Sequence, residues 1–161
     1  MTAVSVRNVS KVFNQGKSNQ VDALTNVALE VKQGEFVSLI GPSGCGKSTL
    51  LRLVANLLEP TSGEVSVNGK SAAQARLDQD YGMAFQQAGL FDWRTVRKNI
   101  ELPLELKSWD KKDRTVRADE MLQLVQLPEF GDHYPWQLSG GMQQRIAIAR
   151  ALAAHPPRSE E

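Results

Sequence analysis

Gly41-Pro42-Ser43-Gly44-Cys45-Gly46-Lys47-Ser48 carries the clearest chemistry in the chain, and Thr49 follows it directly. The run fits the spacing G-x-x-x-x-G-K-[ST] and stands between an apolar segment and a helical one, the context that gives this motif its meaning. Glycines let a backbone wrap closely around phosphate oxygens without a side-chain clash. The wrapped N–H groups make a concavity for an anion, and the helix that follows adds the positive end of its dipole. Lys47 is placed to reach β- and γ-phosphates. The Ser48 hydroxyl suits Mg²⁺, a hard ion that prefers oxygen ligands. A bound nucleotide triphosphate is therefore the expected ligand. By itself the motif does not choose among kinases, GTPases and transport ATPases.

A second motif, Leu138-Ser139-Gly140-Gly141-Met142-Gln143-Gln144-Arg145, opens the last helical stretch. A serine hydroxyl, two glycine N–H groups and a helix N-terminus all favour an anion. Alone, the run would read as a helix N-cap with a flexible lead. About 90 residues downstream of a phosphate loop, it closely resembles the signature of the ABC transporter ATPase family. The form LSGGMQQR followed by Arg150-Ala-Leu is similar to that of bacterial importers.

That resemblance implies a mode of action. Two ATPase domains pair head to tail, and the signature of one (here Leu138 to Gln143) caps the γ-phosphate held by the other's phosphate loop. The implied cofactors are ATP and Mg²⁺. The implied partners are a second ATPase domain (a further copy of this chain), a membrane permease subunit and, indirectly, a periplasmic or lipid-anchored solute-binding protein. The implied place is the cytoplasmic face of the membrane. Phe13 falls where family members stack an aromatic on adenine. A core phenylalanine is the plainer alternative. Gln86 falls at the glutamine that senses Mg²⁺ and the γ-phosphate and hinges the helical subdomain, although the adjacent Gln87 leaves the register open by one. Leu90-Phe-Asp-Trp93-Arg-Thr-Val96, with Asn99-Ile100, resembles nitrate, sulfonate and taurine importers. Leu102 to Leu106 is similar to relatives that carry pyrimidine precursors of thiamine. In the family this region faces the coupling helix of the membrane subunit, so Trp93 reads equally as a contact residue or as core. Asn56 replaces a glycine usual in the family, at a place expected to be helix interior.

The elements that must position these residues can be read from periodicity. Val4 to Val12 and Val27 to Val31 alternate as strands, and Glu35 to Ile40 is a mostly apolar run expected to be a buried strand. Thr49 to Leu58 has helical period, and Glu59-Pro-Thr-Ser-Gly63 breaks it. Glu64 to Val67 with Asn68-Gly69 reads as a strand and tight turn. From Val96 to Leu127 the pattern is helical, with Val116, Met121, Leu122, Leu124 and Val125 on one broad side of the second half. Lys107 to Arg117 mixes basic and acidic residues and reads as a solvated face. Pro128, Gly131 and Pro135 interrupt, and a last helix runs from about Gly141 to Ala154. The expected fold is α/β, a P-loop NTPase (RecA-like) core with an N-terminal antiparallel part, a helical signature subdomain and its C-terminal part missing. It is read as a single incomplete ABC ATP-binding domain over 1–161. Its core spans about 1–87, its helical subdomain 88–140, a helix returning to the core 141–155, and a tail 156–161.

Totals bound the reading. Hydrophobic residues make up 41% and charged residues 23% of the 161, an ordinary globular composition. A net charge of +1 gives no pull toward nucleic acid, so no nucleic-acid partner is expected. Cys45 is the one cysteine, which fits a reducing compartment. No segment approaches the ~18–20 apolar residues of a membrane span, and the N-terminus lacks the apolar stretch of a secretory signal. His133 and His155 lie outside metal-ligand spacing.

The resemblance runs from about residue 4 to Pro156 and stops. Family members continue into an apolar strand ending in Asp-Glu, where the Asp helps hold Mg²⁺ and the Glu acts as general base. A switch histidine follows. Here the text is Pro157-Arg-Ser-Glu-Glu161. Asp119-Glu120 lies in a charged helical stretch and does not substitute. The expectation is a chain that binds ATP but hydrolyses it poorly, whether by natural truncation, by frameshift or by design. Unpaired strand edges would leave it marginally stable. The alternatives are a remnant without function, or an ABC ATPase that works without a membrane partner.

Overall fold

In the computed structural model the described residues are 1–154. They form two compact units, the first ending at Asp80 and the second beginning at Tyr81, whereas the sequence reading draws a boundary near residue 87. His155 and the charged tail lie outside the described residues.

The first unit is an antiparallel sheet with two helices. Strands β1 (Thr2–Phe13), β2 (Val21–Lys32), β3 (Ser62–Val67) and β4 (Lys70–Ser71) are ordered β2-β1-β3-β4. Val6 sits opposite both Leu29 and Val65, so one face of β1 is apolar across all three long strands. Bulges interrupt the register around Asn8 and Asn26, both with positive φ. Asn68 and Gly69 are also left-handed (φ 51° and 75°), which makes the tight turn into β4 that the Asn-Gly pair calls for. Helix α1 (Lys47–Val54) lays Leu50 and Leu53 onto Val6, Val9, Leu24 and Val65. Ser71 caps the short α2 (Ala72–Leu77), accepting from the Gln74 N–H.

Two expectations fail here. Glu35 to Ile40 is not a strand. Phe36 and Ile40 are over 90% exposed, at 92% and 94%. A strand is held by the hydrogen bonds of a neighbour, and among the described residues no strand lies beside this run. The expected parallel part of the sheet is accordingly not among them. Asn56 is not helix interior either. Helix α1 caps at Ala55, and Asn56 follows with φ 46°. This is the left-handed position that ends many helices and that glycine fills best, asparagine next. Glycine or asparagine at this place would meet the same backbone demand.

The second unit is a three-helix cluster: α3 (Val96–Leu106), α4 (Lys111–Leu124) and α5 (Gly140–Ala153). Val96, Ile100 and Leu104, four apart on α3, meet Ala118, Met121 and Leu122 of α4 and Ile146, Ala149 and Ala153 of α5. Two short 3₁₀ turns, Pro128–Phe130 and Pro135–Gln137, carry the chain from α4 to α5. Val116 and Leu124, expected on the buried side of α4, are 52% and 62% exposed. The small Ala118 takes the inward place instead, because α4 packs closely between its neighbours. Arg117, read as part of a solvated face, is buried. Its Nε donates to the Ala153 carbonyl (3.2 Å) and its Nη1 to Glu120 (2.8 Å). The C-terminal carbonyl of α5 rewards a cation there.

Candidate functional site

The phosphate-loop residues run from an exposed turn into the start of α1. Gly44 and Gly46 are both left-handed, with φ 81° and 77°. At Gly46 a Cβ would lie 2.4 Å from the Ala23 carbonyl oxygen, so β2 and the loop approach closely only because this residue has no side chain. Gly46 is also the N-cap of α1, and it has no side chain to cover the helix's first N–H groups. Alternating left-handed residues beside a helix N-terminus turn successive N–H groups to one side. Lys47, the first helical residue, folds back over the loop. Its ammonium donates to the carbonyls of Gly41 (2.7 Å) and Pro42 (3.0 Å) and lies 3.6 Å from the Cys45 thiol. Ser48 is exposed and Thr49 half-buried on the next positions of the helix. Phe13 closes β1, half-buried, with the Lys11 ammonium 5.3 Å from its ring centre.

This donor set fits a polyphosphate and a magnesium ion that rides on it. The loop offers N–H groups and an ammonium. Among the described residues no cluster of three or more His, Cys, Asp or Glu could hold a metal alone. Mg²⁺ commonly takes only one or two protein oxygens and completes its shell with phosphates and water. The Ser48 hydroxyl meets that demand.

Gln86 belongs to the second unit, with Gln87 beside it at an exposed bend. The flanks of that bend are held by α5. Gln144 Nε2 donates to the Phe85 carbonyl (2.8 Å), and Arg150 donates to the carbonyls of Ala88 (3.0 Å) and Gly89 (2.9 Å). Gly82 presses on the same helix. A Cβ there would overlap the Ala151 carbonyl oxygen. Partial burial lowers the pKa of the Arg150 guanidinium from its ordinary value.

The signature residues divide into anchors and an open front. Leu138 is buried in the helical core, and Met142 packs against that core. The Gln143 amide donates to the carbonyls of Pro135 (2.8 Å) and Leu138 (3.2 Å), strapping the preceding turn to the helix. Ser139 is the N-cap, and its hydroxyl accepts from the Met142 N–H (3.3 Å). Gly140 and Gly141 are exposed, and a Cβ at either would meet nothing within 4 Å. Among the described residues no contact requires glycine at those two places.

Trp93 is 75% exposed and leans on Phe91, with ring centres 4.8 Å apart, so core packing is not its role. Fully buried Asn99 shapes its loop. Asn99 Oδ1 accepts from the Phe91 N–H, and its Nδ2 donates to the carbonyls of Phe91, Arg94 and Thr95. Arg94 holds Glu105 through both carboxylate oxygens (2.6 and 2.7 Å). His133 tilts against Phe130 at 5.1 Å, a structural contact. Sequence reasoning quoted Asn99, Gln144 and Arg150 inside motifs without giving them a role of their own, and passed over Gly82. A single arginine within Ile-Ala-Ile-Ala-Arg150-Ala-Leu was the available signal, since a cation amid small apolar residues needs a specific partner.

Comparison with known proteins identifies the arrangement. The ABC transporter family model matches residues 24–158. The chain belongs to the ABC transporter family of ATP-binding cassettes. It is 48% identical over 153 residues to an uncharacterized ABC transporter ATP-binding protein of Methanocaldococcus jannaschii, covering 95% of this chain and 56% of that protein. It is 44% identical over 156 residues to the taurine import ATP-binding protein of Roseobacter denitrificans (97% of this chain, 58% of that one). With the nitrate import ATP-binding protein of Synechocystis sp. it shares 46% over 153 residues (95% and 56%). The cassette thus spans a little over half the length of these curated relatives. A solved ATP-binding cassette in a dimeric post-hydrolysis state with ADP and Pi superposes with a TM-score of 0.86 at 42% identity, covering 96% of this chain and 71% of that one. The cassette therefore has the ABC ATPase fold. Among the described residues no helix is long and apolar enough to cross a membrane.

Proposed function

We propose that this chain is the ATP-binding, energy-coupling part of an ABC importer. The observation that carries the reading is the loop of Gly41 to Ser48, with two left-handed glycines, an uncovered helix N-terminus and a lysine lying across it. Lys47 leaves its loop carbonyls for the β- and γ-phosphates. Ser48, with Gln86, binds Mg²⁺, and Phe13 stacks on adenine. Ser139, Gly140 and Gly141 present a serine hydroxyl and bare backbone to the ATP of a second cassette, paired head to tail. The open space at both glycines suits such a close approach. Importing relatives and the exposed Trp93 loop support a membrane permease as the further partner, and hence a place on the cytoplasmic face of a membrane. The transported solute is left unassigned.

Calorimetry on the wild type and Lys47→Ala tests the part assigned to the lysine. Lys47→Ala is expected to weaken ATP binding far more than AMP binding. Equal loss for ATP and AMP removes the Lys47 assignment.

A further inference from the structure

The segment carrying Gln86 has no secondary structure of its own, yet three points of α5 hold it. Gly82 lies against the Ala151 carbonyl, the Phe85 carbonyl receives the Gln144 amide, and the carbonyls of Ala88 and Gly89 receive Arg150. The last two holds bracket Gln86 and Gln87 as a free span of two residues. Gly89 has φ 54°, a left-handed turn that brings its own carbonyl and its neighbour's to one guanidinium. Arg150 forms no ion pair among the described residues. A half-buried cation whose hydrogen bonds all go to one loop is a costly arrangement unless that loop's position matters. Ser139 caps the same helix at its other end. We propose that Gln144 and Arg150 are positioning residues, which fix Gln86 to the signature helix so that the two nucleotide-sensing elements move as one body.

The role assigned to Gln86 rests on the function proposed above, whereas the attachment itself does not. The variants are Gln144→Met, which keeps length and helix propensity but removes the donor, Arg150→Met, and Arg150→Lys, which keeps charge but not the fork. Backbone nitrogen relaxation on the full chain reports attachment. The order parameters of residues 83–90 should fall from the rigid range of about 0.85 toward about 0.6 in the two Met variants. Arg150→Lys should lie between. The order parameters of α3 and α4 should stay as in the wild type. The second readout is the ratio of ATP affinities with and without Mg²⁺, compared with that of Gln86→Ala. The Met variants should shift the ratio in the direction of Gln86→Ala, and adding Gln86→Ala to either should shift it little further. Unchanged order parameters in 83–90, or order lost throughout the helical unit, overturns the proposal. So does an unshifted ratio in the Met variants where Gln86→Ala shifts it. If Gln86→Ala leaves the ratio alone, its Mg²⁺ role falls, and the order parameters alone decide the attachment.

Discussion

Cys45 is exposed on the phosphate loop, 3.6 Å from the ammonium of Lys47 and two residues before α1 begins. Its Sγ would lie 2.8 Å from a Cβ placed on Gly41, so the thiol caps the loop's opposite end. A polyphosphate that drew Lys47 away from the carbonyls of Gly41 and Pro42 would also draw it from this thiol. A maleimide is expected to label Cys45 in the free chain, and saturating Mg-ATP should slow the labelling severalfold while AMP should not. Labelling at an unaltered rate under saturating Mg-ATP would place bound phosphate elsewhere. The residues that make this loop were legible because their demands are local. A left-handed backbone or a bare N–H writes glycine into the sequence at fixed spacing. Gln144 and Arg150 were not legible in the same way. A glutamine and an arginine on a helix usually face water, and only the fold shows that these reach a distant loop.

Helix α1 shows how an element's end can matter more than its interior. Asn56 stops the helix in the left-handed conformation and accepts a hydrogen bond from Arg76 Nε (3.2 Å). Asn56→Gly should be close to neutral in thermal unfolding, because glycine takes this conformation freely while losing more entropy on folding. Asn56→Val should destabilise by about 1–2 kcal/mol, the cost of forcing a side chain branched at Cβ into that region. Equal midpoints for Val and Asn would show that the turn is not held. Helix α5 was read nearly to its ends and α3 from its start at Val96, but the break between α3 and α4 at residues 107–110 was read through as helix. Two readings failed because their outcome depends on distant partners. An apolar run such as Glu35 to Ile40 becomes a strand only beside another strand. The face of α4 that turns inward was decided by the closeness of α3 and α5, which let Ala118 inside and left Val116 and Leu124 out.

At the scale of the molecule, each unit carries its own core, one built on apolar residues of a sheet with the leucines of α1 and one on a seam of three helices. The chemistry proposed for the cassette is divided between them, phosphate loop in the first and signature with Gln86 in the second. The shape of each was foreseen in outline from the two motifs and the periodicity between them. The resemblance to importers also matched relatives named for taurine and nitrate import. The parallel part of the sheet, expected from the strand-like run at Glu35 to Ile40, is not found among the described residues, because no strand among them lies beside that run.

The exposed run around Phe36 and Ile40 has a kinetic consequence. An apolar stretch with free N–H and C=O groups is a template for another chain, and pairing between two molecules is a bimolecular event. Loss of soluble protein on storage should therefore follow the square of concentration, while unfolding of a single chain would follow its first power. Light scattering over a dilution series measures the order directly. Ile40→Lys, which puts a charge on that edge, should slow the loss without moving the thermal midpoint, because Ile40 is already 94% exposed. First-order loss, or a rate indifferent to Ile40→Lys, would assign the instability to opening within one molecule and leave this segment blameless.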